Sequence, residues 1–104
     1  MLIQFNTDNR ITGDEKLAAQ AEEIVESRLN RFSSRLSRVE IHLADVNGPR
    51  GGNDDIVCTL EARPEGGNPV TVKGSAGQTD AAVRDAADKM QALLETHFGK
   101  LKTH

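Results

Sequence analysis

The stretch VEIHLA at residues 39–44 decides the fold of this chain, because large apolar side chains occupy every second position in it. Successive side chains of a β-strand point to opposite faces, so a period of two places Val39, Ile41 and Leu43 on one face. The intervening residues share the other face. The pattern therefore predicts a strand that is buried on one side.

The same alternation continues on the C-terminal side of this strand. Residues 47–53 (NGPRGGN) are rich in turn-forming types, and a second alternating strand follows them. Residues 64–69 (PEGGNP) form another turn before a short strand at residues 70–73, and residues 74–77 are expected to release the chain into a helix. The inward set of the second alternating strand is Ile56, Cys58, Leu60 and Ala62.

A strand and a helix precede the central strand. Residues 2–6 form an apolar run with Ile3 and Phe5 on one face, which predicts a first strand. Residues 12–15 (TGDE) have capping-box spacing, which predicts a helix over residues 14–32. Its apolar face consists of Leu17, Ala18, Ala21, Ile24, Val25, Leu29 and Phe32.

A second amphipathic helix closes the chain. Thr79 or Asp80 is expected to cap its start, and Gly99 indicates fraying near its end. Its apolar stripe consists of Val83, Ala86, Ala87, Met90, Leu93, Leu94, Phe98 and Leu101.

The order β-α-β-β-β-α predicts an α+β two-layer sandwich. Both apolar helix stripes need a cover, and the apolar face of a four-stranded mixed sheet supplies it, with the two helices on one face. A right-handed crossover makes the first two strands parallel, and hairpins make the others antiparallel. We therefore expect Val39, Ile41 and Leu43 to point into the same layer as Ile56, Cys58 and Leu60.

The size of the chain limits its function. With 104 residues, of which 28% are charged, we expect one domain over residues 1–104 and a shallow functional surface in place of a deep substrate cavity. The lone Cys58 and the polar residues that follow MLIQF favour a cytoplasmic protein without a signal peptide or membrane span.

Charge is polarised along the chain. The net charge of -3 argues against a general nucleic-acid coat, yet residues 27–39 contain Arg28, Arg31, Arg35 and Arg38 and no acid. Cations at a helix C-terminus complement the helix dipole, which accounts for part of this pattern. Phosphate binding is the alternative, because we expect that the acidic remainder does not cancel the local positive potential at a screening length of about 8 Å.

No catalytic group can be named. Cys58 shares the alternation of Ile56 and Leu60, which favours a core thiol over a nucleophile. The three histidines lie far apart and offer no zinc-ligand pair, and the sheet face has no aromatic residue on which a base could stack. We therefore expect no enzyme, no cofactor and no small-molecule substrate.

An acidic loop leaves two interpretations open. Asp45, Asn47, Asp54 and Asp55 could gather around a cation, but Gly48 does not fall where an EF-hand loop needs its glycine. A turn in which Asp45 and Asn47 cap backbone groups is the alternative.

With this order of elements, the chain resembles the ribosome hibernation-promoting factors, also called ribosomal subunit interface proteins. The resemblance covers almost the whole chain and is carried by RFSSRLSRVEIHL at residues 31–43, GQ at 77–78, AAV at 81–83, DKM at 88–90 and KLK at 100–102. It implies the short, single-domain type of the family.

The resemblance also implies a function. Members of that family are non-enzymatic factors that sit on the small ribosomal subunit, in the channel used by mRNA and tRNA, and idle ribosomes under stress. The positions that match basic family positions are Arg28, Arg31, Arg35, Arg38, Lys89, Lys100 and Lys102. They would contact the phosphates of ribosomal RNA.

The second helix departs from the family pattern. It carries Asp85, Asp88 and Glu95 where family members usually have more Lys and Arg. A divergent member that serves as a protein-interaction or oligomerisation module, through its sheet face or strand edges, is the alternative function.

Overall fold

The computed structural model describes residues 1–46 and 55–102, with side chains up to residue 99. The elements follow the predicted order, with one 3₁₀ helix added. They are β1 (Leu2–Thr7), α1 (Glu15–Leu29), the 3₁₀ helix (Asn30–Arg35), β2 (Leu36–Asp45), β3 (Ile56–Pro64), β4 (Val70–Ala76) and α2 (Thr79–Lys102).

The four strands form one sheet in the order β1-β2-β3-β4. β1 and β2 are parallel, and the other two pairs are antiparallel, as predicted. Both helices cover one face of this sheet, so the predicted α+β sandwich is confirmed.

The alternation in β2 and β3 forms the centre of the core. Ile41 lies opposite Leu60, Leu43 opposite Cys58, and all four side chains are fully buried. Val39 enters the same layer beside them. The predicted common layer is therefore confirmed.

The first helix differs from its prediction at both ends. Asp14, rather than Thr12, is the N-cap, because its carboxylate accepts a hydrogen bond from the Leu17 N–H. The α-helix ends at Leu29 instead of residue 32. A 3₁₀ helix has three residues per turn, so Phe32 follows Leu29 into the core after the change of helix type.

The last strand is longer than its prediction. β4 continues through Gly74 to Ala76, where the sequence indicated that the chain leaves the sheet. A side chain at Gly74 would collide with the backbone of α2 at Ala82 and Ala86. Gly74 therefore allows α2 to approach the sheet closely, and it does not end the strand. At the other end of the connection, α2 begins at Thr79 and passes through Gly99 to Lys102.

Candidate nucleic-acid interface

The 3₁₀ helix between α1 and β2 positions two of the predicted arginines. Phe32 is buried, whereas Arg31 and Arg35 on either side of it are exposed. The apolar side chain thus anchors this segment to the core, and the two guanidinium groups remain at the surface.

Stacked aromatic rings support both arginines. The rings of Phe32 and Phe98 lie 5.5 Å apart between centroids and are inclined by 28°. Arg31 Cζ lies 4.9 Å from the centroid of Phe32, and Arg35 Cζ lies 5.0 Å from that of Phe98. A cation–π contact at an exposed site contributes about 0.5–1 kcal/mol, so each guanidinium has a preferred position before any ligand arrives.

Two acids of α2 neutralise part of the positive charge. Arg28 Nε lies 2.7 Å from Asp88 Oδ1, and Arg31 Nη2 lies 2.9 Å from Glu95 Oε1. The expectation that the acidic remainder leaves the arginine cluster uncompensated is therefore wrong for Arg28 and Arg31. Both pairs are solvent-exposed, and exposed ion pairs are weak, so the acids can be exchanged for another anion at low cost.

Arg35 differs from its neighbours. Within residues 1–46 and 55–99, no carboxylate pairs with it, and the ring of Phe98 is its contact. Among the described residues, Arg35 is thus the cation of the cluster whose guanidinium donors have no hydrogen-bond partner.

These residues enclose an open cleft of about 610 Å³ at one end of the molecule. Its walls contain two guanidinium groups, one hydroxyl and one carboxylate. The lining residues are Arg31, Phe32, Ser34, Arg35, Glu95, Phe98 and Gly99. Such a site can bind an anion through charge-assisted hydrogen bonds from planar guanidinium donors.

Arg38 lies apart from the other arginines. It follows an irregularity in β2 between Leu36 and Arg38, and it points to the outward face of the sheet. Its Nη2 donates to Gln4 Oε1 at 2.6 Å and to Glu40 Oε1 at 2.7 Å. The chain is already a strand at this position, so Arg38 does not extend the surface that the three preceding arginines form.

Lys89 also lies outside the cleft. Its Nζ donates to Asp85 Oδ2 and to the Lys73 carbonyl, both at 3.1 Å, along the free edge of β4. The backbone N–H of Ser75 also donates to Asp85, and this bond together with Lys89 holds the pKa of Asp85 below its ordinary value. Lys100 and Lys102 belong to the last turns of α2, directly after the cleft residue Gly99.

The acidic loop falls largely outside the described residues, which omit 47–54. At its base, Asp8 Oδ2 accepts the Asp45 N–H at 3.0 Å, and Arg10 donates to the Asp45 carbonyl at 3.2 Å. Desolvation acts to raise the pKa of Asp8. The opposing effects are larger and bring this pKa below its ordinary value: the carboxylate accepts hydrogen bonds from the backbone N–H groups of Asp45, Arg10 and Ile11, and it lies near the positive charge of Arg10. In the part of the chain that the structure describes, no three potential ligands are placed to hold a metal ion.

Comparison with known proteins decides the family. Residues 4–102 match the Sigma 54 modulation protein / S30EA ribosomal protein family. The chain belongs to this family. The resemblance inferred from the sequence motifs is thereby confirmed.

Two solved structures of similar fold accompany this family match. The N-terminal domain of Protein Y from Thermus thermophilus has a TM-score of 0.72 and 16% identity, with 93% of this chain and 99% of that chain covered. A ribosomal subunit interface protein from Coxiella burnetii has a TM-score of 0.70 and 13% identity, with 95% and 99% covered. No curated protein matches the sequence.

The sequence alone did not identify the side chains that contact the arginines of the cleft. Phe98 and Glu95 contact the arginines from a helix more than sixty residues away, and only the packing of α2 beside α1 reveals this. One signal was present: Phe32 and Phe98 are two of only three aromatic residues in the chain.

Neither helix among the described residues combines the length and apolarity that crossing a membrane requires.

Proposed function

We propose that this member of the S30EA family is a cytoplasmic, non-enzymatic factor that associates with the ribosome. It binds ribosomal RNA of the small subunit and promotes ribosome hibernation under stress. The family is that of the S30EA ribosomal protein, and one protein of similar fold is a ribosomal subunit interface protein. Membership of this family supports the ribosome as the partner.

The observation that carries the choice of surface is the pair of ring-supported guanidinium groups, Arg31 and Arg35, in one open cleft. RNA phosphates are the anions that a planar guanidinium binds in bidentate fashion. Arg35 has no hydrogen-bond partner for its guanidinium among residues 1–46 and 55–99, and Arg31 exchanges the carboxylate of Glu95 for a phosphate. Further positive charge lies close in sequence to the cleft residues, at Arg28, Lys100 and Lys102. Arg38 and Lys89 face other surfaces and are not part of the proposed contact with RNA.

Charge reversal of the cleft tests the proposal. The double variant Arg31→Glu and Arg35→Glu should lose co-sedimentation with small ribosomal subunits, because the guanidinium donors are replaced by groups that repel phosphate. Loss of the two cation–π contacts should lower its free energy of unfolding by about 1–2 kcal/mol, so thermal unfolding should show that the variant is still folded at the temperature of the binding assay.

A matched control separates the cleft from net charge. Lys16→Glu with Lys73→Glu makes the same change in net charge at two exposed positions on other surfaces. This variant should still co-sediment with the small subunit. If the cleft variant binds as well as this control, ribosomal RNA is not the ligand of Arg31 and Arg35.

A further inference from the structure

The two edge strands of the sheet, β1 and β4, differ in how their outward backbone groups are covered. At β4, the outward N–H of Ser75 is bound by Asp85 at 3.0 Å, and the outward carbonyl of Lys73 is bound by Lys89 at 3.1 Å. Lys73 itself is exposed. Charged side chains and covered backbone groups are the devices by which proteins prevent strands from adding to a sheet edge.

The β1 edge has none of these devices among the described residues. The strand Leu2–Thr7 reads LIQFNT and contains no charged side chain and no proline. The N–H of Asp8 donates to the Leu43 carbonyl across the β1–β2 pair at 3.0 Å. Backbone groups alternate in direction along a strand, so Gln4 and Asn6 also face β2, and Ile3 and Phe5 present their N–H and C=O groups outward.

Apolar side chains at this edge are incompletely covered. Leu2 is 57% exposed on the open face of the sheet. Ile3 and Phe5 point toward the helices but remain only partly buried, as do the nearby Ile11 and Leu17. Within the described residues, the edge therefore combines backbone groups that have no hydrogen-bond partner with apolar surface. These are the two features that strand addition uses.

We propose that β1 binds β1 of a second copy of this chain in antiparallel orientation, so that the two four-stranded sheets become one. A two-fold axis through Gln4 gives the register. Ile3 of one copy then lies opposite Phe5 of the other, and each such pair exchanges both of its N–H···O bonds. Leu2 lies opposite Asn6 on the open face.

Self-complementarity selects a second copy over an unrelated peptide. In this register the outward N–H and C=O groups of Ile3 in each copy bond to those of Phe5 in the other copy. The apolar side chains of the two residues pack together on the helix side of the sheet. No charged side chain of β1 opposes another, because the strand has none. The proposed contact with ribosomal RNA does not involve β1, so the two proposals can be tested independently.

A pair of double variants tests the register by sedimentation equilibrium of the full chain. Leu2→Lys with Asn6→Glu places opposite charges face to face across the axis, and Leu2→Lys with Asn6→Lys places like charges there. Both positions are exposed. The first variant should dimerise at lower protein concentration than the unchanged chain, and the second should be a monomer at concentrations where the unchanged chain is a dimer. Equal association of the two variants contradicts the register.

Disulfide trapping gives an independent readout. Gln4 is opposite itself in a non-hydrogen-bonded pair, where the Cα atoms are about 4.5 Å apart, within the range that a disulfide spans. Gln4→Cys should therefore form a covalent dimer on mild oxidation. Thr71→Cys, at an exposed position on the opposite edge strand, should remain monomeric. Equal cross-linking at both positions, or no cross-linking of Gln4→Cys, overturns the proposal. The proposal is also overturned if the unchanged chain stays monomeric up to its solubility limit.

Discussion

At the scale of single residues, Cys58 shows how position in a strand controls reactivity. It is fully buried between the sheet and the helices, and burial raises the pKa of its thiol to about 12. The thiolate is the reactive form of cysteine, so the folded protein holds Cys58 as an inert thiol at neutral pH.

We predict that a thiol reagent at pH 7 labels Cys58 only after denaturant unfolds the chain. Thr71→Cys provides the positive control, because position 71 is exposed on the neighbouring strand and should be labelled at once. Rapid labelling of Cys58 in the folded chain would show that this part of the core opens readily.

Burial of Cys58 could be predicted from the sequence, whereas the ion pairs of the arginines could not. Alternation is a local property, and it places Cys58 beside Leu60 in any half-buried strand. Arg28 and Asp88 are 60 residues apart in sequence and meet only because α1 packs beside α2. The residues that neutralise the predicted positive cluster therefore depend on tertiary packing.

At the scale of secondary structure elements, the start of α1 distinguishes two capping residues. The capping-box spacing favoured Thr12, but the carboxylate of Asp14 accepts the Leu17 N–H at 2.8 Å. Loss of an N-cap side chain costs about 1 kcal/mol. We predict that Asp14→Ala lowers the free energy of unfolding by about that amount in urea denaturation.

Thr12→Ala is the matched control for the cap. It should change the free energy of unfolding by about 0.5 kcal/mol or less, as is usual for exposed positions. A larger loss for Thr12→Ala than for Asp14→Ala would mean that the helix starts where the capping-box spacing indicated.

The existence of both α-helices and all four strands in the described part of the chain could be predicted, but the 3₁₀ helix and some of the element ends could not. The change from α-helix to 3₁₀ helix after Leu29 leaves the sequence periodicity almost intact, since both helix types place residues three apart on similar faces. Gly74 indicated a strand end, yet it serves the contact with α2. In both places, packing against a distant helix determines the local conformation.

At the scale of the whole molecule, the two proposed contacts, with ribosomal RNA and with a second copy of the chain, use separate surfaces. The ring-supported arginines lie at one end, and the charge-free β1 edge lies along one side of the sheet. The proposed phosphate contact is compatible with a net charge of -3, because Arg31 and Arg35 lie together in one cleft. The proposed RNA contact depends on the local geometry at Arg31 and Arg35, whereas the excess of acidic residues lies elsewhere in the chain.

The decisive measurement for the arginine cleft is the salt dependence of binding to purified small ribosomal subunits. The slope of log affinity against log salt reports the number of phosphates contacted, at about 0.7–0.9 per contact. Arg35→Gln should bind more weakly than the unchanged chain and lower the slope by about that amount. Lys16→Gln, which removes one exposed cation elsewhere, should leave the slope unchanged. An Arg35→Gln variant with the slope and affinity of the unchanged chain would contradict the claim that this cleft binds ribosomal RNA.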